Sequence, residues 1–321
     1  VRVGIVILPE HRWWAAEPKW RGAESYGFDH AWTYDHLGWR TLVDGPWFDA
    51  IPTLTAAAMV TTELRLGTLV ATPHFRHPVP FARQLLAVDD ISDGRFMLGV
   101  GSGASGLGGY DRAVLDHPEM TPRQVADRFA EFVELTHSLL VNARTEHRGE
   151  YYTAVAARSA PGCVQRPRLP FLVAGNGPRG MRLAARFGQG WLTNGDSDAA
   201  TLDDWWRGVA ARVRRFDDIL AEAGRGRASI DRYVSVDASP LFSLTSVEAF
   251  REHVGRAAEL GFTDLVTHWP RPDGVYAGRE TVLEDVAAEV LPGLGGRASL
   301  AAGNEPDLPD VPAHEVGRSE G

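Results

Sequence analysis

The chain has 321 residues, 44% hydrophobic and 23% charged, a balance that suits a globular protein and excludes disordered and fibrous classes. With 33 basic residues against 42 acidic ones its formal net charge is -9, which argues against a general binder of nucleic-acid phosphates. A lone cysteine, Cys163, excludes an internal disulfide, and the opening run VRVGIVILPEHRWW is too soon interrupted by charge for a signal segment or membrane span, so a cytoplasmic location is expected.

Short β-branched runs alternate with amphipathic stretches along most of the chain, the pattern of a parallel sheet covered by helices. The predicted strands are Val3 to Leu8, His30 to Tyr34, Leu64 to Ala71, Phe96 to Val100, Phe171 to Ala174, Gly190 to Thr193, Tyr233 to Asp237 and Asp264 to His268. Helices are predicted around Lys19 to Tyr26, Pro52 to Thr61, Pro80 to Ile91, Thr121 to Leu140, Pro178 to Phe187, Leu202 to Ala223, Val247 to Leu260 and Arg279 to Val290. About eight βα units close a TIM barrel, which makes an α/β (β/α)8 barrel over residues 1–291 the expected fold. Gly27 and Gly261, each between a helix and an aromatic residue that opens a strand, fit left-handed helix stops. TPRQ from Thr121 has the form of a capping box, and TSVE from Thr245 repeats it. The stretch 145–170 is too long for a plain connection and predicts a hairpin between the fourth and fifth strands. Residues 292–321 are rich in Gly, Pro and acids and predict a flexible tail.

The segment RFMLGVGSGASGLGG carries G-x-G-x-x-G at Gly101, Gly103 and Gly106, the spacing of a dinucleotide-binding loop. It comes after the fourth strand rather than the first, and the residues between Gly106 and Thr121 show no helical periodicity, so it fits a loop at the C-terminal mouth of a barrel instead. A second anion site is suggested by AGNGPRG, where Gly175, Asn176 and Gly177 precede a helix that opens with Pro178 and Arg179. The strand ends gather Glu10, Asp35 and His36, Thr72, His74 and Arg76, Ser102, Trp191 and Asn194, Asp237, and His268 with Trp269 on that same face.

The motifs GFDHAWTYDH, LRLGTLVATPHFRHPVPFARQ, DDISDGRFMLGVGSG and AGNGPRGMRLAARFGQGW, in this order, resemble the bacterial luciferase-like monooxygenase superfamily. That resemblance implies an oxidoreductase whose cofactor, FMN or the deazaflavin coenzyme F-420, lies across the barrel mouth. The YDH and TPHFR contexts and the arginine-rich composition lean towards F-420-dependent hydride transfer, with a reduced-FMN monooxygenase and a non-catalytic binding barrel as alternatives. It further implies that Leu69 and Val70, with Ala71 beside them, carry a non-prolyl cis peptide behind the ring. By the same matching Gly101, Ser102 and Gly103 border the cofactor's side chain, and Gly175, Asn176, Gly177 and Arg179 its phosphate. Sugar-phosphate dehydrogenases of the family have Glu where this chain has Ala104, which weighs against a sugar phosphate. Homodimers and a separate flavin or deazaflavin reductase are the partners it suggests, besides a small-molecule substrate.

His36 is the candidate proton donor or acceptor, and Asp35 either orients it, bonds the cofactor or caps a loop amide. Arg76 is either a phosphate partner or half of an ion pair. Glu10, Trp39, His74, Trp191, His268 and Trp269 are the candidate substrate walls, with packing as the competing role of the tryptophans. His74 and His77 have no third ligand at a suitable spacing, so no metal is expected.

Overall fold

The computed structural model describes residues 1–103 and 109–294. In chain order its elements are β1 (Arg2–Val6), α1 (Trp13–Ser25), β2 (His30–Thr33), α2 (Ala50–Val60), β3 (Arg65–Thr68), α3 (Pro78–Ile91), β4 (Phe96–Val100), α4 (Gly109–Val114) and α5 (Pro122–Val141). Next come the hairpin strands β5 (Arg144–Arg148) and β6 (Thr153–Arg158), then β7 (Phe171–Ala174), α6 (Pro178–Phe187), β8 (Gly190–Thr193), α7 (Leu202–Glu222), β9 (Asp231–Ser235), α8 (Val247–Glu259), β10 (Asp264–His268) and α9 (Glu280–Glu289). Eight parallel strands form a closed barrel in the order β1, β10, β9, β8, β7, β4, β3, β2, and β5 pairs antiparallel with β6 beside it. This is the (β/α)8 fold with its hairpin between the fourth and fifth barrel strands.

Alternation along each strand sorts side chains into two layers. Val3, Ile5, Ala31, Leu66 and Leu98 face the helices, whereas Val6, Trp32, Met97, Leu172, Tyr233 and Val266 fill the barrel. The bottom of the interior holds a paired polar network. Arg2 donates through Nε and Nη2 to Asp264 at 2.7 and 2.6 Å, and the Trp32 indole donates to His30 Nδ1 at 2.6 Å. Having accepted there, the neutral His30 ring carries its proton on Nε2, which donates to Asp264 at 3.1 Å. A Cβ on Gly4 would lie 1.8 Å from His30 Nδ1, so only glycine leaves room for this network.

Helix boundaries differ from expectation where a proline marks the predicted start. α1 begins at Trp13 and carries Pro18 in its interior, six residues earlier than Lys19. α3 opens with Pro78, capped by the His77 ring, rather than with Pro80. At TSVE the cap is Ser246, which accepts from Ala249 N, because Thr245 belongs to a preceding turn. Thr121 and Gln124 form the reciprocal capping box, and Gly27 and Gly261 have φ of +87° and +77°. α4 has no counterpart among the predicted helices, its six residues being too few to show a period. Residues 291–294 form a final helical turn; the rest of the expected tail, and Ala104 and Gly106 of the glycine-rich segment, lie outside the described residues. No described helix is long and apolar enough to cross a membrane.

Asp264 is buried; burial alone raises its pKa, but hydrogen bonds from Arg2 and His30 outweigh that and hold it below the usual carboxylate value. The unfolded chain therefore takes up the proton first, and this contribution to stability is complete above about pH 4 and lost as the pH falls below it. Asp264→Asn is expected to lower the unfolding free energy at neutral pH by about 3–5 kcal/mol and to flatten its acid slope, as measured by urea denaturation across pH.

Candidate functional site

Past the end of β2 the alternation continues through Tyr34, Asp35 and His36. Tyr34 enters the interior cluster. Asp35 points the other way and accepts from Arg76 Nε at 3.2 Å and Nη2 at 2.6 Å, and Arg76 Nη2 also reaches Asp49 at 3.1 Å. Burial pushes the Asp35 carboxyl up, against the pull of Arg76. Asp35 thus ties the strand end to Arg76, and of its three alternatives the orienting of His36 is not the one this geometry carries, because adjacent strand residues face opposite sides. Arg76 takes the ion-pair role of its two alternatives.

The acid that does hold His36 is Asp111, on α4. Its Oδ2 lies 2.6 Å from His36 Nδ1, its Oδ1 accepts the Leu37 amide at 2.7 Å, and its side chain is fully buried. A carboxylate can only accept, so Nδ1 carries the ring proton and Nε2 is left to exchange one. Sequence reasoning missed Asp111, which stands 75 positions from His36 in a helix too short to announce itself. The Trp47 indole donates to the His36 carbonyl at 2.7 Å and fixes the backbone there.

Just past the ends of β3 and β4 two loops press together. The peptide between Leu69 and Val70 is cis, and a Cβ on Gly101 would lie 2.7 Å from Val70 Cγ2. Gly103, at φ +66°, passes so close to His74 that a Cβ would sit 2.2 Å from Nε2; that nitrogen lies 3.3 Å from the Gly103 carbonyl. Burial lowers the His74 pKa, with the Gly103 hydrogen bond opposing it. Ser102, partly buried, lies between these glycines. Ala71 turns its side chain to the outer layer and joins this region through its backbone, donating to Gly99 O at 2.8 Å and accepting from Gly101 N at 2.9 Å. The Thr72 hydroxyl is buried and has no partner among the described residues.

The third corner is the start of α6. Gly175 packs on Gly180, with a virtual Cβ 2.8 Å from its carbonyl carbon, while one on Gly177 meets nothing within 4 Å, so the helix entrance is open. The Asn176 side chain is tied to β8, donating to Asn194 and Gly195 and accepting from Thr193. Arg179 does not face this entrance as expected. It pairs with Asp127 on α5, so the backbone amides of α6 remain as the donors there.

Of the candidate substrate walls, the mouth brings together Trp39 and His268, with Tyr34 and Tyr276, which the sequence did not single out as site residues. Tyr276 stacks on His268 at 3.7 Å and on Trp39 at 6.0 Å, and Tyr34 meets Trp39 edge-on at 5.0 Å. Glu10 is held by Arg271 at 2.8 and 2.9 Å. Trp191 and Trp269 are not walls. Trp191 stacks on Phe216 at 4.3 Å behind β8, and Trp269 lies over Tyr26 at 6.1 Å with its indole on Glu280. Both belong to the outer layer, one residue out of phase with the inward-facing Leu192 and His268. Among the described residues no group of three His, Cys, Asp or Glu side chains is placed to hold a metal ion.

The luciferase-like monooxygenase family model matches residues 9–286. The F-420-dependent glucose-6-phosphate dehydrogenase of Beutenbergia cavernae is 32% identical over 324 aligned positions, which cover 86% of this chain and 91% of that protein. The 5,10-methylenetetrahydromethanopterin reductase of Archaeoglobus fulgidus is 25% identical over 272 positions, 84% of this chain and 71% of the relative. Two solved structures share the fold. The coenzyme F-420-dependent tetrahydromethanopterin reductase of Methanopyrus kandleri has a TM-score of 0.73 at 20% identity, covering 92% of this chain and 99% of its own. An F-420-dependent secondary alcohol dehydrogenase, in complex with an F-420–acetone adduct, has a TM-score of 0.74 at 16% identity, with coverage of 89% and 97%.

Removing the guanidinium would strand Asp35 as a buried unpaired charge. Arg76→Met is expected to cost about 3–5 kcal/mol in urea denaturation, whereas Asp49→Asn, at the half-exposed end and still able to cap α2, should cost less than about 1 kcal/mol.

Proposed function

Since the chain belongs to the luciferase-like monooxygenase family, we propose that it uses the deazaflavin coenzyme F-420 to move a hydride to or from a small organic substrate, with His36 as the proton-exchanging group beside the reaction. The observation that carries this reading is the His36–Asp111 contact at 2.6 Å, which fixes one imidazole tautomer just past the end of β2, edge-on to the Tyr34 ring. The F-420 dependence named for the relatives supports the choice of cofactor.

The residues present fit such a group. The entrance of α6 at Gly177 is open, and Thr72 holds a buried hydroxyl with no partner among the described residues. Val70, Gly101, Ser102 and Gly103 would border the ring and its side chain, and Gly175 to Gly177 with the first amides of α6 would hold the phosphate. When bound, the deazaflavin supplies a ring carbon that accepts or gives hydride. The protein's part is positional. Asp111 fixes the His36 ring so that Nε2 exchanges the proton, and the rings of Trp39, Tyr34 and Tyr276 form an aromatic wall that orients a flat or compact substrate. A homodimer, a cytoplasmic location and a partner reductase that regenerates the reduced cofactor go with this reading and rest on the family resemblance.

Fluorescence titration of the purified protein tests the cofactor. Saturable binding of F-420, tighter than that of FMN, is expected; preferential FMN binding would favour oxygen-activating monooxygenase chemistry, and failure of both to bind would sink the reading. His36→Asn and Asp111→Asn are each expected to lower turnover about 100-fold while cofactor affinity stays within about 3-fold, measured by steady-state kinetics and the same titration.

A further inference from the structure

A second polar chain runs inward from the same mouth, independent of His36 and Asp111. Asp237 comes just after β9 and its side chain is buried; its Oδ2 accepts from the His268 amide at 2.7 Å and lies 2.9 Å from His268 Nδ1, and its Oδ1 accepts from Ser243 N at 2.9 Å. Burial alone raises its pKa, but the hydrogen bonds from His268 and Ser243 take it below the usual carboxylate value, so it remains an acceptor. In the neutral imidazole His268 Nδ1 therefore carries the ring proton, and Nε2 is the acceptor.

That assignment propagates outward. Tyr34 Oη lies 2.8 Å from His268 Nε2 and donates its single hydrogen there. It also lies 2.8 Å from Tyr276 Oη, so Tyr276 must be the donor in this second contact. Every proton in the relay points inward, and the Tyr276 oxygen at the outer end keeps its lone pairs. Burial raises the phenol pKa of Tyr276 to about 12, which suits a group that passes a proton on rather than one that holds a charge. Stacking on His268 and Trp39 fixes its ring, and Tyr34 meets His36 edge-on at 6.2 Å, so both proton-handling groups border one site.

We propose that Tyr276 is a catalytic acid–base residue that takes the hydroxyl proton of an alcohol substrate, or returns it to the corresponding carbonyl, through Tyr34 and the His268–Asp237 pair. The proposal rests on the hydride-transfer reading above and names its substrate class, a small alcohol or ketone. In the oxidative direction the C=O bond would form as the O–H proton moves to Tyr276 Oη and the carbinol C–H electron pair leaves as hydride, for which a bound oxidised deazaflavin would be the acceptor. The proton of Tyr276 moves to Tyr34, and that of Tyr34 to His268 Nε2, leaving an imidazolium against the Asp237 carboxylate. The alcohol loses two electrons and the cofactor gains them. Alcohol oxidation releases one proton and full reduction of a deazaflavin ring takes one up, so two acid–base groups at one mouth match the balance.

Tyr276→Phe and Tyr34→Phe each remove one hydroxyl and keep the ring. With F-420 and isopropanol or cyclohexanol as probes, and acetone or cyclohexanone in reverse, each variant is expected to lose about 100-fold in kcat. KM and F-420 affinity should change by less than about 3-fold, and the double variant should fall within about 2-fold of the weaker single, because hydroxyls acting in series do not add. Wild-type turnover in either single variant, or additive losses in the double, would overturn the relay. F-420 binding without turnover of any probe would overturn the alcohol assignment and leave the cofactor reading standing; absence of F-420 binding would overturn the cofactor reading itself. Nitrogen NMR gives a readout without turnover: the His268 signal, assigned by its loss in His268→Gln, should show Nδ1 protonated and Nε2 bare, and the opposite tautomer would overturn the proposal.

Discussion

The parallel pairing of β1 with β10, from Arg2 opposite Asp264 to Val6 opposite His268, closes the sheet on itself, and the position of every mouth residue depends on it. Closure is what brings His36, after the second strand, into the neighbourhood of His268, at the end of the last. The ion pairs of Arg2 and Asp264 and the His30–Trp32 contact lock that seam at the bottom of the barrel. The top is thereby free to be built from loops, as in barrels generally. Stability and chemistry occupy opposite ends of the same strands.

At the mouth two histidines are each fixed by a buried carboxylate, yet in different settings. His36 is held by an acid on a short helix beyond the glycine loop, so its orientation is coupled to the segment that would border the cofactor. His268 is held by an acid at the end of the neighbouring strand and speaks to the mouth only through two phenols. The first arrangement presents an imidazole directly; the second presents a hydroxyl backed by a buried base. Between them stands Tyr34, whose ring meets His36 edge-on at 6.2 Å and His268 edge-on at 5.6 Å.

The fold was legible because its signals are local and repeated. Gly27 and Gly261 stop helices with positive φ, Thr121 and Gln124 cap one, and short β-branched runs recur at the spacing of βα units. The site was legible only in part. Sequence order places a residue near a strand end but not on its inner or outer face, and a one-residue phase error puts Trp191 and Trp269 in the wrong layer. Asp35 turns to Arg76 rather than to His36 because neighbours on a strand face opposite sides. Asp111 and Tyr276 were invisible for another: one sits in a helix of six residues, the other in the loop after the last strand, and each finds its partner across a long stretch of chain.

On the proposed reading one mouth holds a deazaflavin with two proton-handling groups at its reactive edge. A crystal structure of the protein with oxidised F-420 tests this most directly. The ring is expected against the Leu69–Val70 peptide, its phosphate at the entrance of α6, and His36 Nε2 and Tyr276 Oη both bordering the space above the reactive carbon. A ring bound with its reactive edge turned away from these two atoms, or seated outside the mouth, would contradict it.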